Sequence, residues 1–400
     1  MPGARFLTLC IFFTGFAHAA HSQWDLQNSG STADLRGIDN VGHGIAWASG
    51  TEGTVLRTTN DGKDWHRCAT PSGASHLDFR GIQAFDADTA VVMSSGKGKL
   101  SRLYKTTNGC RTWRLLFTNP DPEGLWAAVQ FSGRKFGYLL GNPVNHHFVL
   151  MLTENGGNHW EQIMPIHTTS VLDLSGTSLN VGDEKLGVSV ASNSALAVDG
   201  GGVGDGGGGF LPIPLFGTSG PGAVSIFESE LACTMGMFQD GDPESCLNVM
   251  DIDRESWITS DAAATAGISS IASAPDGSGL VAVGGDYLKP DDSADTASWD
   301  GKFGWVAAET PPHGYRSAVA YDAATKTWIT VGPNGTDISV NEGCELESTD
   351  CVSGPRHWHA LKPGPGEPPD ADKNWNALSL PFVVGPHGRI GKLRPEALKP

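Results

Sequence analysis

Tryptophans recur along the chain at a nearly constant spacing, and this repeat constrains the fold more than any other feature. Three segments end at Trp65, Trp113 and Trp160, so their spacings are 48 and 47 residues. Each has an apolar run, then Thr, then an Asn/Asp/Gly turn, then Trp; they read RTTNDGKDW, KTTNGCRTW and MLTENGGNHW. A period of about 40–50 residues is typical of one four-stranded propeller blade.

Weaker copies extend this series in both directions. Trp257 follows Trp160 by 97 residues, which corresponds to one repeat plus a long insertion. The complete series is Trp24, Trp65, Trp113, Trp160, Trp257, Trp305 and Trp358. The chain has 53 Gly and 24 Pro but only 18% charged residues, which favours short strands joined by tight turns. We therefore expect an all-β, seven-bladed β-propeller.

A second marker runs in phase with the tryptophans and predicts the innermost strand of each blade. Short apolar segments follow the tryptophan strands: LRGI at Leu35, FRGI at Phe79, LWAAV at Leu125, ISSIA at Ile268, YRSAV at Tyr315 and WNALS at Trp375. The fourth blade has no clear copy, and SLNV (178–181) is the best candidate. Because two markers share one period, residues 20–400 are predicted to form a single propeller.

The ends of the chain complement each other. The last repeat, WNALSL through GKL, stops after a third strand, whereas QWDLQNSG around Trp24 supplies a tryptophan strand at the other end. We expect this N-terminal strand to complete the last blade and close the ring, which protects the strand edges. A Gly-rich insertion at about 199–222 interrupts blade four. Neither a GK[ST] sequence nor a helical pattern follows its glycines, so a surface loop is favoured over a phosphate cradle.

The Asn/Asp-x-Gly-x-x-Trp turns resemble the Asp-box repeat of bacterial neuraminidases. The stretch from LRGI to WASGTEGTVLRTTNDGKDW is more similar to exported propellers related to the photosystem II stability and assembly factor. This resemblance covers roughly residues 23–393 and implies a seven-bladed propeller that acts by binding, without implying a photosynthetic role. It also implies that Asp61 and Asn108 tie their turns and that the tryptophans pack between blades. The copy Asn108-Gly109-Cys110 departs from the usual Asp-Gly-Gly.

The N-terminus reads as an export signal. Arg5 precedes an apolar run over residues 6–16, and Ala17-His18-Ala19 is an A-x-A cleavage site, so residues 1–19 are predicted to be a signal peptide. Later segments contain no apolar run of about 18 residues, so membrane insertion is not expected. We predict an exported, monomeric protein that is periplasmic or extracellular.

Charge and cysteine content limit the partners and the covalent links. The net charge of −17 disfavours nucleic acid as a partner. Removing Cys10 with the signal peptide leaves six cysteines, which allow fifteen disulfide pairings in an oxidising compartment. Sequence proximity favours Cys344–Cys351 and then Cys233–Cys246.

Arginines at the start of the predicted innermost strands are the strongest candidate site. Equivalent positions in a propeller converge on one mouth of its channel, and aromatic or acidic side chains accompany the arginines there. The predicted ligand-binding residues are Arg36, Arg80, Trp126, Asp286, Tyr287, Arg316 and Trp375. Guanidinium groups bind carboxylates and phosphates through paired hydrogen bonds. The alternative is that these arginines only tie neighbouring blades by ion pairs with Asp39, Asp78 or Asp286.

Binding is favoured over catalysis. The chain lacks a G-x-S-x-G elbow and a CxxC pair, and His357 with His359 are too few for a zinc site, so we predict no catalytic residue, metal or cofactor. The predicted function is a non-enzymatic propeller of the assembly or scaffold type that binds a protein segment or small anionic ligand. The alternative is a neuraminidase-like glycoside hydrolase, for which the candidates are the tyrosines Tyr287, Tyr315 and Tyr321 and the acids Asp286, Asp291 and Asp292.

Overall fold

A computed structural model describes residues 23–163, 186–189, 193–199, 213–220, 225–230, 251–256, 263, 265–275, 277, 279–293, 296–299, 304–340, 354–363 and 367–398. The described chain is all-β apart from short 3-10 segments at Gly98–Leu100, Asn193–Ala195 and Pro395–Leu398. The signal-peptide prediction, Trp257, the SLNV segment and the two favoured disulfides lie outside these residues.

Four of the sheets are antiparallel and contain four consecutive strands each. The first sheet contains β2 (Leu35–Gly42), β3 (Ile45–Gly50), β4 (Thr54–Thr58) and β5 (His66–Arg67). The second contains β6 (Phe79–Ala84), β7 (Ala90–Ser94), β8 (Arg102–Thr106) and β9 (Arg114–Thr118). The third contains β10 (Trp126–Ser132), β11 (Phe136–Val144), β12 (His147–Thr153) and β13 (Glu161–Gln162). The fourth holds β23 (Ala318–Asp322), β24 (Thr327–Gly332), β25 (Gly335–Val340) and β26 (His359–Ala360).

Two further sheets complete the described residues. One has nine strands: β14 (Gly187–Val188), β15 (Leu196–Asp199), β16 (Ile213–Ser219), β17 (Ser225–Glu230), β18 (Asp251–Ser256), β19 (Ala266–Ser273), β20 (Leu280–Asp286), β21 (Thr296–Trp299) and β22 (Trp305–Ala307). The other contains β27 (Ala377–Ser379), β28 (Phe382–Val384) and β29 (Ile390–Leu393), together with β1 (Trp24–Gln27) from the opposite end of the chain.

The innermost strands contact one another in a cyclic order. Contacts run from β2 to β6, β10, β15, β19, β23 and β27, and β27 in turn contacts β2. The second strands β3, β7 and β24 are almost entirely buried, because both of their faces pack against neighbouring sheets. The architecture is therefore propeller-like, with the core divided into layers between adjacent sheets.

Three turns share one hydrogen-bonding pattern that explains why the repeat is recognisable in the sequence. The side-chain oxygens of Asn60, Asn108 and Asn155 each accept a hydrogen bond from the backbone N–H four residues later. The prediction for Asp61 is wrong: it lies one residue after the tying position, with a positive φ of 65°, and it pairs instead with Lys392.

The tryptophans lie on or directly before outermost strands. Trp65, Trp160 and Trp358 are buried and immediately precede β5, β13 and β26. Trp24 lies on β1 opposite Leu393 of β29, so the N-terminal strand supplies the fourth strand of the last sheet.

Two other sequence expectations need comment. The insertion predicted at about 199–222 is too long, because β16 pairs with β15 and β17 inside the nine-stranded sheet. A disulfide joins Cys68 to Cys110 across the first two sheets, with their Cα atoms 5.3 Å apart, and the sequence did not single out this pairing.

Candidate functional site

A cavity of about 510 Å³ lies where the innermost strands begin. Two arginines, three aromatic side chains and a group of hydroxyl or amide side chains dominate its lining. These residues are Arg36, Arg80, Tyr287, Tyr315, Trp375, Ser189, Ser219, Thr265, Ser317 and Asn376. Asp and Glu are absent from the described lining residues. The volume falls within the range that is usual for small-molecule and peptide pockets, about 300–1,000 Å³.

Arg36 and Arg80 form the basic wall of this cavity and share one carboxylate. Arg80 Nε donates to Asp78 Oδ2 at 2.9 Å, whereas Arg36 Nε lies 3.9 Å from Asp78 Oδ1 and makes no hydrogen bond with a described residue. Asp34 is the second ion-pair partner of Arg36, at 3.5 Å. Since the arginine side chains remain 26% and 22% exposed, these ion pairs leave guanidinium surface facing the cavity.

A β-bulge explains why these arginines face the mouth. Leu35 pairs with Gly50 and Gly37 pairs with Ser49, so Arg36 is the extra residue of β2. The same shift follows Phe79 in β6 and makes Arg80 the extra residue there. Bulges change the direction of a side chain at a strand end, which here separates each arginine from the buried residue before it.

Arg316 occupies a different place in its repeat. The backbone N–H groups of Leu35, Arg316 and Trp375 each donate to a glycine carbonyl at or near the end of the second strand of the preceding blade, at 3.1, 2.9 and 3.3 Å. Arg316 therefore corresponds to Leu35, and the expectation that it shares the position of Arg36 is wrong. Its side chain is fully buried, with an NH2–Asp337 Oδ2 distance of 2.8 Å and a hydrogen bond from NH1 to the Gly335 carbonyl at 2.6 Å.

The two predicted tryptophans follow the same register. Trp126 pairs with Gly141 as Leu35 pairs with Gly50, and a bulge follows both residues. Its ring is buried and stacks on Phe117 at a centroid distance of 5.3 Å, away from the described cavity lining. Trp375 is also buried, but it contributes to the lining.

Tyr287 lies at the rim of the cavity and Asp286 holds the turn beneath it. Tyr287 is 57% exposed. Asp286 is not among the lining residues; its Oδ1 accepts hydrogen bonds from the Thr265 hydroxyl at 2.6 Å and from the Leu288 N–H at 3.0 Å. Deeper in the wall, burial raises the pKa of Tyr315 to about 12, so its phenol stays neutral.

A narrower cavity of about 120 Å³ lies further along the innermost strands and contains a carboxylate that sequence reasoning did not single out as a site. Asp39 Oδ2 accepts a hydrogen bond from the Ala84 N–H at 2.7 Å, and burial raises the pKa of Asp39 to about 6. The bulge register aligns Asp39 with Gln83 and Gln130, which are neutral amides. Only the folded register could reveal this contrast.

The described residues do not form a metal-binding cluster or a membrane-spanning helix. In the described part of the chain, no group of three or more His, Cys, Asp or Glu residues is placed to hold a metal ion. His357 hydrogen-bonds Thr310 at 3.0 Å and lies 3.5 Å from a Glu309 carboxylate oxygen. None of the described helices has the length and apolar character needed to cross a membrane.

Comparisons with known proteins identify the fold. Neither a family model nor a curated protein sequence matches the chain. Among solved structures, YCF48 bound to a D1 peptide has a TM-score of 0.55 at 12% identity, covering 93% of this chain and 97% of that one. YCF48 from Cyanidioschyzon merolae has a TM-score of 0.54 at 15% identity, with coverages of 94% and 100%.

An enzyme is also among the structural neighbours. An ancestral GH74 enzyme has a TM-score of 0.53 at 12% identity, and the match covers 92% of this chain but 46% of that one. YCF48 is a photosystem II assembly factor, and both kinds of neighbour are β-propellers. At such low identities these similarities establish a propeller-like fold and nothing about activity.

Proposed function

We propose that this chain is an exported, non-enzymatic β-propeller that binds an acidic protein segment at the mouth bearing Arg36 and Arg80. The observation that carries the proposal is one cavity that brings these two guanidinium groups together with Tyr287 and Trp375. Arginine and aromatic side chains are the residues that most often dominate protein–protein binding energy. The peptide-bound YCF48 neighbour supports a protein segment as the ligand.

The proposal includes a ring of seven blades. The cyclic contacts among β2, β6, β10, β15, β19, β23 and β27 support this number, and the nine-stranded sheet would then contain two blades. Pairing of β1 with β29 supports closure through the N-terminal strand. Export through a signal peptide at residues 1–19 and a monomeric state are parts of the same proposal.

The described side chains that line this mouth include arginines but no acids, although the carboxylates of Asp34 and Asp78 pair with these arginines. The chain carries a net charge of −17, yet the described lining contains two arginines and no carboxylate. An anionic side chain that enters could replace part of the weak contact between Arg36 and Asp78. The absence of acidic groups from the described lining also leaves a glycoside hydrolase without its two carboxylates at this position.

Binding of an end-capped, fluorescein-labelled Gly/Ser peptide containing Asp residues tests the function. Wild type should bind this peptide, and Arg36→Gln/Arg80→Gln should weaken the binding by about tenfold or more, because both charge-assisted contacts are lost. Fluorescence anisotropy provides the affinity. Raising the salt concentration should weaken wild-type binding and have less effect on the variant.

The control variant Arg111→Gln/Arg134→Gln removes the same charge from exposed positions outside the described cavity lining. Arg36→Lys/Arg80→Lys retains the charge near Asp78 but lacks the planar fork, so it should fold normally and still bind more weakly. Equal affinity of wild type and both cavity variants would refute the site. Turnover of chromogenic glycosides by the wild type would refute the non-enzymatic part of the proposal.

A further inference from the structure

Two exposed apolar side chains stand next to each other in sequence: Tyr287, which lines the cavity, and Leu288, which follows it. The exposed large apolar residues that the structure describes are Leu26, Leu100, Leu115, Tyr287, Leu288 and Val340. Only Tyr287 and Leu288 are neighbours in sequence, and Leu288, at 67%, is the most exposed of the six. Exposed apolar groups that cluster beside a binding cavity often form part of an interaction surface.

The Tyr287–Leu288 pair is held in place by its loop. Besides accepting the Leu288 N–H bond, Asp286 accepts a backbone hydrogen bond from Lys289 at 3.0 Å. At the other side of the pair, the Pro290 carbonyl accepts a hydrogen bond from the Tyr315 N–H at 3.0 Å. Because the loop is tied on both sides, a partner would lose less free energy in ordering it.

The strand order separates this pair from the arginines. Asp286 pairs with Ala266 at the start of β19, so Tyr287 and Leu288 follow at the mouth. In the cyclic series of contacts, β19 is reached from β2 through β27 and β23, and from β6 through β10 and β15. The strand β19, which pairs with the strand that precedes the apolar pair, is therefore three contacts away from each of the strands that carry Arg36 and Arg80, and Tyr287 lines the same cavity as both arginines.

We infer that Tyr287 and Leu288 form a second anchor, which takes an apolar side chain of the same protein segment whose acidic side chain reaches Arg36 and Arg80. This inference rests on the proposed function and adds an apolar requirement to it. A small anion cannot satisfy both walls, whereas an extended polypeptide places acidic and apolar side chains at a fixed separation. The geometry thus selects a segment with both chemistries.

A panel of end-capped Gly/Ser peptides tests the inference. One set carries a single Asp, another a single Leu, and a third both residues at increasing separations. Wild type should bind the best peptide with both residues about tenfold more tightly than the Asp peptide, because the leucine is removed from water on binding. Leu288→Ser should abolish this gain and leave the affinity for the Asp peptide unchanged.

Leu115→Ser is the matched control, because Leu115 is 49% exposed on β9 and has no sequence neighbour among the described cavity-lining residues, whereas Leu288 directly follows the lining residue Tyr287. Thermal unfolding should show that both leucine variants remain folded, as expected for exposed positions. If Leu288→Ser affects both peptides equally or neither, the second anchor is overturned.

The two proposals fail separately. Loss of Asp-peptide affinity in Arg36→Gln/Arg80→Gln, combined with no effect of Leu288→Ser on any peptide, would retain the proposed function and remove the apolar anchor. No effect of either change would remove both.

Discussion

Two sets of arginines at the beginnings of innermost strands have opposite environments. Arg316 is fully buried and lies 2.8 Å from a carboxylate that is itself 1% exposed. Arg36 and Arg80 are partly exposed and share Asp78 at unequal distances of 3.9 and 2.9 Å. A shift of one residue at a bulge separates the two environments. The same amino acid therefore holds the framework together just before β23 and lines the cavity on β2 and β6.

This difference indicates which arginines can turn toward a ligand at a small cost in free energy. A guanidinium that satisfies a buried carboxylate cannot turn toward a ligand without leaving that charge unpaired, which costs several kcal/mol. A partly exposed guanidinium with a long contact to its carboxylate loses much less. Substitutions of Arg316 should consequently lower stability, whereas substitutions of Arg36 and Arg80 should mainly weaken binding.

The largest expected effect is at Arg316. Arg316→Met should lower the free energy of unfolding by up to about 3–5 kcal/mol, because buried Asp337 would lose its arginine and keep only the partly exposed His313 as an ion-pair partner. Arg36→Met should cost less than about 1 kcal/mol. Urea unfolding at neutral pH measures both values, and equal losses would contradict the division into framework and cavity arginines. Replacing Arg316 and Asp337 together by apolar residues should recover much of the loss.

A smaller effect is expected where the N-terminal strand is fixed. The Trp24 indole N–H donates to Asp372 Oδ1 and to Thr336 Oγ1, both at 3.0 Å. Trp24→Phe should therefore cost about 1.5–3 kcal/mol, since a hydrogen bond to a charged group is lost. Trp47→Phe is the control: its indole donates to the neutral Asp86 carbonyl at 3.0 Å, so the loss should be about 1 kcal/mol. A larger loss of stability in Trp47→Phe than in Trp24→Phe would show that the carboxylate acceptor of Trp24 contributes no additional stability.

Asp39 extends the comparison to a buried charge that lacks a described arginine partner. Burial raises its pKa from the ordinary 3.8 to about 6, so folding favours the protonated form. This contribution to stability is fully present below pH 3.8 and is lost as the pH rises through about 6. Asp39→Asn should thus be more stable than wild type above pH 6, by up to about 3 kcal/mol, and should lose this advantage near pH 4.

Unfolding by urea across this pH range measures the difference between wild type and Asp39→Asn. Gln83→Glu introduces a carboxyl group at the aligned position of β6 and should produce a pH dependence of the same sign. A constant difference between wild type and Asp39→Asn at every pH would contradict burial as the origin of the effect.

The sequence shows the repeat, but it does not show which residue of each repeat occupies which position in the strand register. The Asn108 turn and the Trp65 and Trp160 strands are local patterns, so their structures could be predicted from spacing alone. The bulge after Leu35 leaves no such trace, because LRGI and YRSAV look alike although their arginines point to different environments. Pairing of Arg316 with Asp337 joins the residues before β23 to β25, two strands away in the same sheet, which the one-dimensional pattern did not align.

Longer-range features were hidden for the same reason. Cys68 and Cys110 are 42 residues apart and become neighbours only when the first two sheets pack together. Tyr287 could be placed near the mouth because its segment follows a predicted strand. Leu288 could be proposed as an apolar contact only from its exposure in the folded protein. The sequence predicted a site at the start of the innermost strands, and the structure shows which of the predicted side chains line a cavity there.

The smallest expected effect tests this register directly. Asn376 follows Trp375 as Arg36 follows Leu35, and its side chain lines the cavity and donates to the Leu35 carbonyl at 2.8 Å. Asn376→Arg should therefore add a third guanidinium to the mouth and tighten binding of the Asp peptide by about three- to fivefold at low salt.

Thr59→Arg adds the same charge at an exposed turn and should leave this affinity unchanged. If both variants bind equally well, net charge alone explains the gain. If only Asn376→Arg improves binding, and high salt removes the improvement, the residue after the buried position is the one that faces the ligand. That result would explain why Arg316, one residue earlier, serves the framework instead.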